Sequence, residues 1–141
     1  MFDSLYPTMQ WANYRSTWPH AQHSQFIQAG GIQWHVQIMG QGPVLLLLHG
    51  TGSGSFSWRG LMPLLSAHFQ VIAPDLPGHA FTSRGPEGSL SMQGMSEGLR
   101  ALLLQLNVTP SIIGGHSAGA AIAANMLLQQ RALSQTQLIG F

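Results

Sequence analysis

The chain has 141 residues, 45% of them hydrophobic, a net charge near +1 and no cysteine. This length predicts a single domain with an ample core. The missing cysteines exclude disulfides and thiolate metal sites, and the sparse, unclustered charge argues against a nucleic-acid surface.

Residues 1–23 hold Pro7, Trp11, Tyr14, Trp18 and Pro19 without periodicity, which reads as an irregular arm packed by its aromatics. No apolar signal-peptide core precedes Gly30. The longest aliphatic run, Val44 to Leu48, is far too short to span a bilayer. The expected location is the cytoplasm.

Ser24 to Gln28 predicts a short strand and Gly30-Gly31 a turn. Ile32 to Met39 alternates, with Ile32, Trp34, Val36 and Ile38 on one face and Gln33, His35 and Gln37 on the other. A period of two predicts a half-buried strand, so the two segments form a hairpin. After the turn Gly40 to Pro43, Val44 to Leu48 is apolar throughout, as a central parallel strand buried on both faces would be. The glycine-rich loop His49 to Ser55 follows. It lacks the lysine and spacing of a phosphate-binding loop.

Phe56 to Ala67 reads as helical, with Trp58, Leu61, Met62, Leu64 and Leu65 apolar, although Pro63 permits only a distorted or late-starting helix. Phe69 to Ala73 is the next buried strand, ending in the turn-rich loop from Pro74 to His79. Arg84 to Ser89 is a polar loop. Ser89 or Ser91 caps a helix running to about Leu106. Met92, Met95, Leu99, Leu102, Leu103 and Leu106 fall on its core face. Asn107 and Pro110 end it.

Ser111 to Ile113 is then a short strand, and Ala120 to Gln130 an alanine-rich helix. Between them stands Gly114-Gly115-His116-Ser117-Ala118-Gly119, a serine in the pattern G-x-S-x-G at a strand–turn–helix junction. Such a turn needs small residues, because strand and helix come too close for a Cβ. Its serine hydroxyl points into open space beside a helix N-terminus, where free N–H groups and a partial positive charge suit a developing oxyanion. Gln137 to Phe141 reads as the opening of another strand.

This order predicts an α/β fold: an open, mostly parallel sheet with an antiparallel start and helices on both faces. Ligands in such sheets bind beyond the carboxyl ends of the strands. Three loops are expected to converge there: His49 to Ser55, Asp75 to Thr82, and His116 to Gly119.

His49-Gly50, Asp75-Leu76-Pro77-Gly78-His79 and Gly115-His116-Ser117-Ala118-Gly119, in this order and spacing, resemble the α/β-hydrolase superfamily over residues 24–141. The stretches Ala29 to Gln37, His49 to Gly52, Ser57 to Arg59 and Ala73 to Thr82 are similar to the α/β-hydrolases of bacteriochlorophyll biosynthesis labelled magnesium-chelatase accessory proteins. One departure is Ala80, where that loop more often carries a second glycine.

The resemblance implies a serine hydrolase of ester- or amide-like bonds that needs no cofactor. Ser117 would be the nucleophile, and the backbone N–H groups of Ala118 and Thr51 the oxyanion hole. Gly50, Gly115 and Gly119 would support the site. His49 would fix the oxyanion loop by hydrogen bonding rather than act as a base. Asp75 would bind neighbouring N–H groups rather than serve as the triad acid. His116 would be a local packing residue, and His79 a turn residue near a substrate. His20, His23, His35 and His68 read as peripheral, and the histidine spacing gives no metal site.

The superfamily's acid and histidine come after the serine, yet no Asp, Glu or His follows Ser117 in this sequence. The expectation is therefore the N-terminal half of a single hydrolase domain, truncated after the nucleophile helix, without cap segment and inactive by itself. Two other readings stay open. One is a non-catalytic accessory that binds a porphyrin or associates with magnesium chelatase. The other is a relative of cofactor-free haloperoxidases or dehalogenases, which Ser117 disfavours because the dehalogenase branch uses an aspartate nucleophile.

Overall fold

A computed structural model describes residues 9–141. Residues 1–8, with Pro7 of the expected arm, lie outside the described residues. Six strands form one sheet in the order β1-β2-β4-β3-β5-β6. They are β1 (Ser24–Ala29), β2 (Ile32–Met39), β3 (Val44–Leu48), β4 (Gln70–Pro74), β5 (Ile112–Gly115) and β6 (Gln137–Gly140). β1 and β2 are antiparallel, as are β2 and β4, and all later pairings are parallel. β3 sits in the middle, with Leu45 opposite Val71 of β4 on one side and Ile112 of β5 on the other.

The all-apolar sequence of β3 is explained by two cores. Leu46 and Leu48 face a large cluster with Trp34, Ile72, Leu99, Leu102, Ile113, Ile122 and Met126. Leu45 and Leu47 face a smaller one with Met39, Trp58, Met62, Val71 and Ala73. Alternate side chains of a strand point to opposite faces, so a strand covered on both has no polar face to keep.

The helices are α1 (Trp11–Tyr14), α2 (Met62–Leu65), α3 (Met92–Leu106) and α4 (Ala118–Gln129). α3 and α4 cover the large core, and α2 with a 3-10 turn at Ser55–Trp58 covers the small one. Ser91 caps α3, its hydroxyl accepting from the Gly94 N–H at 3.0 Å. Asn107 ends the helix in the left-handed conformation at φ 56°. Leu99, Leu102 and Leu103 are buried as expected, whereas Met92 at the first turn is exposed.

Two readings need correction. The helix expected over 56–67 is only the single turn Met62–Leu65, and Leu61 and Leu64 are exposed. Proline lacks the N–H that a helix interior needs, so Pro63 confines the helix to starting beside it. The polar face of β2 is also not half-exposed: His35 and Gln37 are fully buried. The arm covers them. Gln37 Nε2–H donates to the carbonyls of Pro19 at 2.7 Å and His20 at 3.2 Å. Trp11 lies 5.0 Å from the His35 ring, and Trp18 packs edge-on against Phe81 at 4.7 Å. Within the arm, α1 and a 3-10 turn at Ala21–His23 give regular structure where none was expected.

Candidate active site

The strand order reverses at β3, whose neighbours β4 and β5 lie on opposite sides. The crevice at the carboxyl ends of these strands is where such sheets bind ligands. The loops after β3, β4 and β5 meet there, as the sequence predicts.

Ser117 stands between β5 and α4 with φ 55° and ψ −116°, a conformation that L side chains rarely adopt. Its side chain is exposed. Two glycines permit the turn. A Cβ on Gly115 would lie 2.5 Å from the Ala120 nitrogen, and one on Gly119 would meet the Leu48 carbonyl oxygen and lie 2.7 Å from the His49 one. Real Cβ atoms do not come so close, so the first turn of α4 can rest on the end of β3 only with glycine at both places. Neighbouring strands hold the turn. The His116 N–H donates to the Leu48 carbonyl at 3.0 Å, and the Ser117 N–H to the Phe141 carbonyl at 3.2 Å.

The loop after β3 touches this turn. A Cβ on Gly50 would lie 3.6 Å from Ser117 Cβ and 3.2 Å from His116 Nδ1. Thr51 is exposed, and neither its N–H nor that of Ala118 has an acceptor among the described residues. These two unpaired donors belong to the residue after Ser117 and to the residue after Gly50. His116 is exposed, so it is not the packing residue expected.

His49 is fully buried. The Leu76 N–H donates to its Nε2 at 2.9 Å, which leaves the proton on Nδ1, 2.7 Å from the Gly50 carbonyl oxygen. Burial pushes its pKa below the usual 6.5, against the Gly50 hydrogen bond, which raises it. A neutral imidazole with both nitrogens engaged joins the β3 and β4 loops. His79 lies in the β4 loop, its ring 5.1 Å from that of His49.

Asp75 is fully buried and collects three donors. Its Oδ1 accepts from the Ser55 N–H at 2.7 Å. Its Oδ2 accepts from the Phe81 N–H at 3.1 Å and from His35 Nδ1 at 2.7 Å. Burial alone would push the carboxyl up. The hydrogen bond and attraction of His35, with the two N–H groups, outweigh it and hold the pKa below the usual 3.8. Asp75 binds neighbouring N–H groups, as its sequence context suggests. His35, read as peripheral, is instead the partner of Asp75 and reaches Ser24 Oγ through Nε2 at 2.8 Å. Two polar residues at i and i+2 in a strand, downstream of an aromatic arm with nothing else to cover, were the available signal.

Ala80, the departure from the related loop, has φ 44°, a left-handed conformation that glycine adopts at no steric cost. Among the described residues no cluster of three or more His, Asp or Glu could hold a metal ion, and no helix is long and apolar enough to cross a membrane.

A family model described as alpha/beta hydrolase fold matches residues 43–135, from the start of β3 to beyond α4. The chain belongs to this family. The magnesium-chelatase 30 kDa subunit of Rhodobacter capsulatus is 43% identical over 115 residues, covering 80% of this chain and 40% of that protein. The 2-hydroxy-6-oxo-2,4-heptadienoate hydrolase of Pseudomonas putida is 33% identical over 107 residues, covering 74% of this chain and 39% of that protein. An epoxide hydrolase from Vigna radiata superposes with a TM-score of 0.71 at 30% identity, covering 77% of this chain and 36% of that one. The chain thus spans about two fifths of the length of these two curated relatives.

Proposed function

We propose that Ser117 is the nucleophile of a serine hydrolase acting on ester- or amide-like bonds, with the N–H groups of Thr51 and Ala118 as its oxyanion hole. The observation that carries this reading is the backbone of Ser117, held at φ 55° and exposed between Gly115 and Gly119. A residue in such a region costs about 1–3 kcal/mol, and a connection with no chemical task has no reason to keep it. In this reading Ser117 Oγ attacks the carbonyl carbon as a base takes its proton. The two free N–H groups then hold the oxygen that becomes negative, each worth roughly 3–4 kcal/mol in the transition state. Collapse expels the alcohol or amine, and water releases the acyl group. No cofactor enters these steps.

His49 and Asp75 have their polar atoms engaged elsewhere. In this reading the base and its acid lie outside these 141 residues, as the superfamily order of serine, acid and histidine implies, with residues 24–141 contributing the first half of one hydrolase domain and residues 1–23 an arm on it. The test is fluorophosphonate labelling and ester hydrolysis by a protein spanning the full length of its relatives. Ser117→Ala should abolish both, lowering the rate by several orders of magnitude, while the 141-residue chain alone labels no faster than an ordinary serine. Full-length hydrolysis that survives Ser117→Ala would overturn the assignment.

The 43% identity to a magnesium-chelatase subunit favours a second reading, in which the protein is an accessory that associates with magnesium chelatase in the cytoplasm or binds a porphyrin. Ser117→Ala changes the surface by one oxygen, so a purely binding role would survive it. Normal magnesium insertion with Ser117→Ala would favour this accessory reading over the enzymatic one.

A further inference from the structure

A cavity of about 450 Å³ opens beside the loop that carries Thr51. Trp18 and Pro19 of the arm form one wall, Phe56 and Arg59 another, and Ser53 and Ala80 close it from the loops after β3 and β4. Its lining is mainly apolar with one cationic side chain. Among the described residues neither Asp nor Glu lines it, and no carboxylate lies within ion-pair distance of Arg59. One guanidinium nitrogen of Arg59 donates to the Phe56 carbonyl at 3.0 Å, which orients the group and leaves its other N–H donors for a ligand.

Two contacts tie the walls together. Trp18 packs edge-on against Phe56 at 5.5 Å, and His20 Nε2 lies 2.7 Å from the Arg59 carbonyl oxygen, joining the arm to the turn that bears the cation. A ligand entering such a cavity orders few side chains, so more of its contact energy appears as affinity. A cavity of about 580 Å³ between α3 and α4 lacks this character: Gln93, Glu97, Arg100, Gln130 and Arg131 line it with mixed charges, far from the three loops.

We propose that the cavity between the arm and the β3 loop binds a small apolar molecule carrying one carboxylate, its body against Trp18 and Phe56 and its carboxylate on Arg59. A planar guanidinium fork matches a carboxylate in geometry and charge. A dianionic phosphate would leave one charge uncompensated, because among the described residues no second cation lines the cavity. Gly52 and Ser53 belong both to this cavity and to the loop beside Ser117. Its use as an anchor for the substrate of that serine rests on the hydrolase reading above; the binding itself does not.

The test is calorimetric titration of a protein spanning the full length of its relatives with naphthalene-2-acetate and with its neutral alcohol analogue. The acid should bind about tenfold more tightly than the alcohol. Arg59→Gln should remove that preference while leaving alcohol binding unchanged, and Arg59→Lys should restore part of it. Because Arg59 is exposed, the preference should shrink with added salt, and the substitution should leave the fold intact. Equal affinities for acid and alcohol, or a preference that persists in Arg59→Gln, would overturn the proposal. The titration is repeated in Ser117→Ala, where an unchanged preference is expected. A failure of the hydrolase reading shows as full-length ester hydrolysis that survives Ser117→Ala while the acid preference is retained, and a failure of this one as a lost acid preference with Ser117-dependent hydrolysis intact.

Discussion

The serine turn and the Asp75 hub are both built from polar residues at the carboxyl ends of strands, yet they solve opposite problems. Ser117 is exposed and held in a costly backbone conformation, and the N–H groups of the next residue, Ala118, and of Thr51 in the β3 loop have no acceptor among the described residues. Asp75 is fully buried in ordinary backbone, and both carboxylate oxygens are engaged. A polar group facing water can be left unpaired at little cost, whereas a buried one cannot. Both Asp75 oxygens are already engaged, whereas the N–H groups of Thr51 and Ala118 are left without an acceptor.

The contrast predicts that the hub matters to stability and the serine hydroxyl does not. Asp75→Ala would leave His35 and the Ser55 and Phe81 N–H groups buried without their acceptor, a loss of about 3–5 kcal/mol. Urea denaturation should find it unfolded or nearly so, with Ser117→Ala within about 0.5 kcal/mol of the parent. An Asp75→Ala chain as stable as the parent would remove the distinction.

The next effect runs in the other direction. Ser117→Gly relieves the turn of strain, against the added freedom glycine gives the unfolded chain. A net gain of about 1 kcal/mol in the same denaturation experiment is expected. A loss would mean that the conformation costs serine nothing.

Acidification probes the buried groups separately. In the unfolded chain His49 takes up a proton near the usual 6.5, but in the fold only at lower pH. Between those values the unfolded state binds more protons, so stability falls as pH is lowered through the window. His49→Gln should flatten that first step. Asp75 acts lower. Its contribution is present above the usual 3.8 and is lost as pH falls through its lower folded value. Melting temperatures across the acid range should resolve the two steps.

The smallest effect concerns Ala80. At φ 44° it sits where alanine is disfavoured by about 1–2 kcal/mol, partly offset by the unfolded-state cost of glycine. Ala80→Gly should stabilise by roughly half a kcal/mol, measurable as a raised midpoint.

The serine turn was legible in the sequence because its requirements are local: glycine at 115 and 119 is demanded by atoms within a few residues and by the end of one adjacent strand. β3 was legible for a related reason, since burial on both faces removes every polar residue. His35 was not legible. Its partner is 40 positions away, and its burial depends on an arm without periodicity. Alternation in β2 reports that two faces differ, not that one of them meets water. The helix expected over 56–67 starts late at Met62, as Pro63 requires, but its apolar spacing did not reveal that it would end after one turn at Leu65.

β6 has a consequence for the order of events during synthesis. The Ser117 N–H donates to the Phe141 carbonyl, and the Phe141 N–H returns to the Gly115 carbonyl at 2.8 Å. A ribosome delivers Ser24, His35 and Asp75 well before Phe141, so the hub can close on a nascent chain whose serine turn still lacks its outer neighbour. The serine turn therefore gains its β6 contact later than the Asp75 hub gains its partners. A chain released before β6 emerges would carry the loops in place and Ser117 free to relax.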